Sequence, residues 1–371
     1  MQMIVTDRFV PVRDVFQAGL DAGEELGARF TLVQDGEVVL DLWGGHADRA
    51  RTRAFDAETL TPVFSTTKAI AALLIARLVD QGRLDYGQTV ASVWPEFAQA
   101  GKAHITIDQV MSHQDGLAGL REPMDPGLWM DWDVIVDKLA AMAPLWEPGT
   151  ASGYHPITYG FTAGEIFRRV DGRSMGRALR EDFAEPFGLD LWIGLPDSEF
   201  DRVAELERPT QFADFGKITE VKKLAFLTKW AAPGGRGGDA WRRAEIPSAN
   251  GHVTAQGMAR LMSVMASGGK LDGRQVLKPE TVAAAGRERI RGQDLVLPFE
   301  LSWGAGFMRN VPNMFYGAGE TSFGHSGWGG SCAFADPERG LSGAYVMNKQ
   351  SSDLIGDPRA VRLIQAAYAC L

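Results

Sequence analysis

Two segments of this chain place a serine three residues before a lysine: Ser65-Thr66-Thr67-Lys68 and Ser267-Gly268-Gly269-Lys270. On a helix those positions share a face, so the lysine amine can approach the serine hydroxyl. A serine is a nucleophile only beside a base, and a lysine is a base only when burial or nearby positive charge lowers its pKa. The chemistry such a pair offers is acyl transfer through a serine ester. Ordinary residue frequencies place about one such pattern in a chain of this size by chance, so context decides. The second copy ends an amphipathic helix, Thr254 to Ser267, and its glycines read as a C-terminal stop. The first opens an apolar helix with Ile70, Leu73, Leu74, Ala76 and Leu78 at helical spacing and Gly82 as its stop. The positive end of that helix disfavours an ammonium and favours developing negative charge at Ser65. An N-cap serine followed by a solvent-exposed lysine fits the same four letters.

Other chemistries are poorly served. The histidines, at 46, 104, 113, 155, 252 and 325, form no H-E-x-x-H and no ligand pair on one helix, which disfavours a metal site. Gly324-His325-Ser326-Gly327-Trp328 fails the G-x-S-x-G elbow at its last position, and βαβ alternation is missing. The Gly234–Asp239 segment is a glycine-rich loop without a preceding strand pattern, so it gets no nucleotide role. Cys332 and Cys370 form no C-x-x-C, which fits a reduced compartment rather than a disulfide framework.

The elements that must position the pair follow from periodicity and turn chemistry. Phe30 to Val33 and Val38 to Leu42 flank Asp35-Gly36, a hairpin signal. The middle third reads as helices, Ile107 to Ser112, Trp132 to Met142, Ile157 to Val170 and Met175 to Phe187. Strand character returns at Ser302 to Met308, Gly330 to Ala335 and Leu341 to Met347, the last two joined by a turn at Asp336-Pro337, and a helix from Asp357 to Ala369 closes the chain. This order predicts an α+β fold, a mainly antiparallel sheet flanked by helices, with an all-helical domain (86–189) inserted into a sheet domain (1–85 and 190–371).

The 371 residues exceed what one core usually serves, in keeping with two domains. With 38 Lys and Arg against 47 Asp and Glu, the net charge of −9 has the wrong sign for nucleic acid. No segment reads as a secretory signal, and the longest apolar run, Ala69 to Ala76, is too short to span a bilayer. The expectation is a cytoplasmic protein without a membrane or nucleic-acid partner.

Two further segments sit in the right order for a known superfamily. Glu147-Pro148-Gly149-Thr150-Ala151-Ser152-Gly153-Tyr154, running into Tyr159, Gly160 and Gly164, resembles the loop presenting the second catalytic residue of serine β-lactamases, penicillin-binding proteins and related esterases. Gly324-His325-Ser326-Gly327 resembles their third motif, K-T-G or H-x-G. Met111–Leu117 and the Asp336-Pro337 hairpin also resemble family landmarks, so the likeness runs from about residue 15 to the C-terminus. Two departures select within it. Tyr154-His155-Pro156 lacks the asparagine of the class C Tyr-x-Asn motif, and His325 replaces the K-T-G lysine. Both weaken the grip on a β-lactam, and the chain most resembles family VIII carboxylesterases.

The resemblance implies a β-lactamase-like fold and hydrolysis of short-acyl esters, small molecules, without cofactor or metal. Ser65 would be the nucleophile, with Lys68 and Tyr154 sharing the general-base task, the tyrosine through a lowered pKa. Backbone N–H groups of Ser65 and Trp328 would form the oxyanion hole; a second frame, Trp328-Gly329-Gly330, moves the latter donor to Ser331. His325, Gly327 and Pro156 would line the substrate pocket, at the interface of the two domains. Tyr159 reads as core and His113 as structural. The alternatives on this scaffold are a β-lactamase, a D-aminopeptidase, an acyltransferase, or a binding protein without activity.

Overall fold

The computed structural model describes residues 2–371. Its frame is a nine-stranded antiparallel sheet: β1 (Gln2–Val5), β2 (Gly27–Gln34), β3 (Glu37–Gly45), β4 (Ile290–Gln293), β5 (Glu300–Trp303), β6 (Met308–Arg309), β7 (Phe323–Ser326), β8 (Cys332–Asp336) and β9 (Leu341–Met347). Their spatial order is β1-β3-β2-β9-β8-β7-β6-β5-β4. Local chemistry sets the hairpins. Asp35 and Gly36 both take positive φ, +52° and +87°, which lets a two-residue loop follow the twist of β2 and β3. At the β8–β9 turn the Asp336 carboxylate accepts from the Glu338 and Arg339 amides at 3.0 and 3.3 Å.

Helices cover both faces of the sheet. They are α1 (Val10–Asp21), α2 (Thr67–Asp80), α3 (Thr158–Asp171), α4 (Ala255–Ala266), α5 (Pro279–Gly286) and α6 (Pro358–Tyr368). On one face Met258, Leu261 and Met262 of α4 share a core with Val33, Ala333, Ala344 and Val346. On the other, Val12 and Phe16 of α1 and Leu363 and Ile364 of α6 meet Phe30, Leu32, Phe334 and Tyr345. Strand β9 is therefore buried along its whole length and reads as a continuous apolar run. Helix α2 packs against α3, α5 and β7, so nearly all its positions are buried and it shows little amphipathicity.

Between Leu84 and Gly188 the regular elements are all helical. Three sequence expectations need adjustment. Ser302 to Met308 is not one stretch: β5 turns back into β6, with Trp303 opposite Met308. Gly306, at φ +82° in that turn, leaves room for the Tyr159 hydroxyl, which a Cβ there would meet at 2.3 Å. Met175 to Phe187 is interrupted by a π-helical turn at Arg180–Ala184. Strand β1 and helices α1 and α5, which the pattern reading did not pick out, edge and flank the sheet. The second Ser-x-x-Lys behaves as a helix stop: Ser267 caps α4, Gly268 and Gly269 have φ +61° and +89°, and Lys270 is exposed.

Candidate active site

Ser65 lies in a 3-10 turn, Phe64–Thr66, that leads directly into α2. Phe64 precedes it at φ +46°, a left-handed conformation that costs a bulky residue energy and persists only when its surroundings impose it. Three segments do so. Thr67 donates its hydroxyl to the Phe64 carbonyl at 2.5 Å and accepts from the Gly251 amide at 2.8 Å. The Val63 amide donates to the Gly251 carbonyl at 2.9 Å, and the Ser331 hydroxyl donates to the Val63 carbonyl at 2.9 Å. The result is a half-buried serine side chain in front of a fully buried lysine.

The lysine is held by three groups. Its Nζ donates to the carbonyls of Pro156 at 2.8 Å and Ser248 at 3.0 Å, and lies 3.2 Å from Ser65 Oγ. Burial drives the Lys68 pKa well below its ordinary value. Two of the three oxygens around Nζ are carbonyls that accept its hydrogens, and the third is the serine hydroxyl.

Tyr154 is presented by the Pro-Gly loop, and its placement rests on Asp294. The buried Asp294 carboxylate accepts from the Tyr154 amide and the Ser152 hydroxyl, both at 2.9 Å, and from the Val296 and Leu297 amides, both at 2.9 Å. The Tyr154 ring stacks on Trp303 with centroids 6.0 Å apart and lies 4.8 Å from Lys68 Nζ. Its hydroxyl meets the Ser65 side chain. The expected lowering of the tyrosine pKa is corrected here: burial raises it, outweighing the contact with Ser65. A raised pKa favours the protonated phenol, a hydrogen-bond donor. Tyr159 is fully buried, with its hydroxyl 3.8 Å from Met111 Sδ.

The turn between β7 and β8 closes the site. Gly327 presses on the serine turn, since a Cβ there would meet the Val63 carbonyl at 2.1 Å. Its amide donates to Ser331 at 2.7 Å and its carbonyl accepts from Gly330 at 3.1 Å. Among the described residues, the N–H groups of Ser65, Trp328 and Ser331 have no acceptor on the backbone. His325 is buried, with Nδ1 2.8 Å from the Ser326 carbonyl and Nε2 without a partner. Burial above all depresses its pKa to about 3. A neutral imidazole brings no charge to bind a carboxylate. Pro156 was expected to line the substrate pocket; it is buried, and its carbonyl serves Lys68.

The structure thus brings Ser65, Lys68, Tyr154 and the 325–328 segment together. Sequence reading missed Asp294, the Ser248 carbonyl and a histidine pair behind Tyr154. His155 Nε2 contacts the Asp115 carboxylate and accepts from the Leu117 amide at 3.1 Å, while His113 stands between the rings of Tyr154 and Tyr159 at 5.1 and 5.0 Å. The His-Gln-Asp run at 113–115 held that signal.

A serine on a helix-opening turn, a buried lysine one turn on and a tyrosine from a second loop thus lie together at one place in the fold. The family model for Beta-lactamase matches residues 12–366, and the chain belongs to that family as a serine hydrolase of the β-lactamase fold. It is 36% identical over 344 residues to the esterase/beta-lactamase LipL of Mycobacterium tuberculosis, covering 89% of this chain and 78% of that protein. Among solved structures, a penicillin-binding protein homolog from Caulobacter crescentus is 63% identical, with a TM-score of 0.98 and both chains fully covered. A family VIII carboxylesterase is 41% identical, with a TM-score of 0.94, also covered fully.

Proposed function

We propose that the protein hydrolyses short-acyl carboxylic esters through an acyl-enzyme on Ser65. Lys68 accepts the serine proton as Oγ attacks the ester carbonyl, and the oxyanion is held by the N–H groups of Ser65 and Trp328. The resulting ammonium returns its proton through the Tyr154 hydroxyl to the departing alcohol. Water then repeats the sequence on the acyl-enzyme, with Lys68 again the base, and releases the acid. Trp328 is preferred to Ser331 as second donor because it directly follows Gly324-His325-Ser326-Gly327, the segment that resembles the H-x-G motif.

The observation that carries the reading is the environment of Lys68: buried, no carboxylate among its contacts, and 3.2 Å from Oγ. Ester rather than lactam substrates follow from the neutral His325 and from an apolar wall. Phe215 stacks on Trp328 with centroids 6.5 Å apart and touches Phe226 at 4.9 Å, and Phe226 stacks on Tyr154 at 6.4 Å. We expect a fluorophosphonate probe to label Ser65 and Ser65→Ala to lose both labelling and turnover. The kcat/KM for a short aryl ester should exceed that for a cephalosporin by orders of magnitude. Equal values for the two substrates reject the esterase reading in favour of a β-lactamase, and absent labelling rejects a hydrolase altogether.

A further inference from the structure

A cavity of about 780 Å³ is lined on one side by Phe64 and Trp328, which adjoin Ser65 and Gly327 in the chain. Its opposite wall is unusually basic. Arg49, Arg208, Arg236 and Arg242 line it, against Glu205 and Glu207, in a chain whose net charge is −9. Ion pairing sorts these arginines. Arg49 is held by Glu205 at 2.5 Å, and the nearby Arg202 and Arg243 are committed to Glu199 and Asp197 at 2.5 and 2.6 Å. Among the described residues, Arg208, Arg236 and Arg242 have no carboxylate partner.

Of the three, Arg208 and Arg236 are exposed and Arg242 is half-buried. Arg242 lies over the Phe200 ring at 5.2 Å, and its buried Nε has no hydrogen-bond partner. Arg236 keeps accessible surface, yet desolvation and then the like charge of Arg208 hold its pKa below the ordinary arginine range. A buried donor without an acceptor and two crowded guanidiniums are both costly. An anion bound among them relieves both costs, and guanidinium forks fit a carboxylate in two-pronged fashion.

We propose that this cavity is a subsite for a carboxylate carried by the ester substrate, so that the enzyme prefers esters that are apolar at the scissile bond and anionic at one end. The proposal rests on the esterase reading above and names its substrate class. Phe64 and Trp328 supply the apolar passage from Ser65, and Arg208, Arg236 and Arg242 receive the charge. The site adds recognition only; the chemistry at Ser65 is unchanged.

The test compares matched esters. Phenyl hydrogen adipate against phenyl hexanoate puts the charge on the acyl side; 4-carboxyphenyl butyrate against its methyl ester puts it on the alcohol side. Rates are normalised to alkaline hydrolysis. In one pair at least, the wild-type enzyme should favour the carboxylate by about 10-fold or more, as charge-assisted hydrogen bonds allow, and 0.5 M salt should narrow the gap. Arg236→Gln and Arg242→Gln should each raise KM for that substrate about 10-fold and leave its neutral partner within twofold, whereas Arg243→Gln, outside the cavity, should change neither. Turnover of neutral esters with no charge preference in either pair, or variants that alter charged and neutral esters alike, overturns the subsite. Failure to turn over any of the four esters overturns the esterase reading beneath it.

Discussion

At the scale of single residues, two buried lysines show how a fold chooses between a cation and a base. Lys102 donates to the carbonyls of Gln99, Ala140 and Met142 at 3.0, 2.9 and 2.5 Å, a partner for each hydrogen of an ammonium. Lys68 also has three oxygens, two carbonyls and the Ser65 hydroxyl, but burial lowers its pKa well below its ordinary value, whereas that of Lys102 is lowered to about 8. Protonation of Lys68 would remove the proposed base, so kcat/KM should fall as pH drops through its lowered pKa and level off above it. His325, depressed to about 3, does not titrate in that range, so a pH profile of His325→Gln should keep the same acidic limb. Tyr154→Phe removes only the hydroxyl that hands the proton to the alcohol, and kcat should fall about 10² to 10⁴-fold with an unchanged Tm. Tyr159→Phe is the control; equal losses would make Tyr154 a packing residue. Ser65 and Lys68 were legible because their relation is local, one helical turn apart. Tyr154, His325 and Trp328 came from ordered motifs resembling a family, and the direction of the tyrosine pKa was misjudged because burial is not written in the motif.

At the scale of elements, the site depends on contacts that no local spacing reveals. Asp294 meets Tyr154 across 140 residues of chain, and the Ser248 carbonyl meets Lys68 across 180; a backbone carbonyl has no residue-type signature at all. Helices α2 and α3 and strands β2, β3, β8 and β9 were readable from the 3.6 period, β-branched apolar runs and turn residues, whereas β7, which carries His325, was reached only through its motif. The β5–β6 turn was not, since its close packing on Tyr159 is a tertiary demand. Asp294 takes four hydrogen bonds in a buried place, so Asp294→Ala leaves several donors unpaired and should cost about 3 kcal/mol or more in chemical denaturation. Below its melting temperature the variant should also lose kcat, although Tyr154 itself is intact. Asp294→Asn, which keeps one acceptor oxygen, should recover much of both. Full activity in Asp294→Ala would separate the clamp from catalysis.

At the scale of the whole molecule, one apolar core runs from α4 beneath the sheet, through α2, to Ile135, Leu139, Phe161 and Phe183 of the helical segment. The sequence suggested an inserted domain, and the helical insert is there as a run of elements; α2 joins its interior to that of the sheet. Folding should therefore be cooperative across the chain. Leu73→Ala, at a fully buried position of α2, should cost about 2 to 5 kcal/mol. Far-UV circular dichroism and fluorophosphonate labelling of Ser65 should still be lost in one coincident transition; two separated transitions would show that the helical segment melts independently. Among the described residues no helix is long and apolar enough to cross a membrane.

The two carbonyls that hold the Lys68 amine also bear on how long the catalyst lasts. In the proposed acyl-enzyme an ester would form on Ser65 Oγ, one hydrogen-bond length from the Lys68 amine. Amides are more stable than esters, so migration of the acyl group from oxygen to nitrogen would run downhill and end in a dead enzyme. The Pro156 and Ser248 carbonyls hold the amine by its hydrogens, which would restrain its approach to an acyl carbon on Oγ. Self-poisoning is thereby resisted by the same restraint that makes the base, and no further side chain has to guard against it.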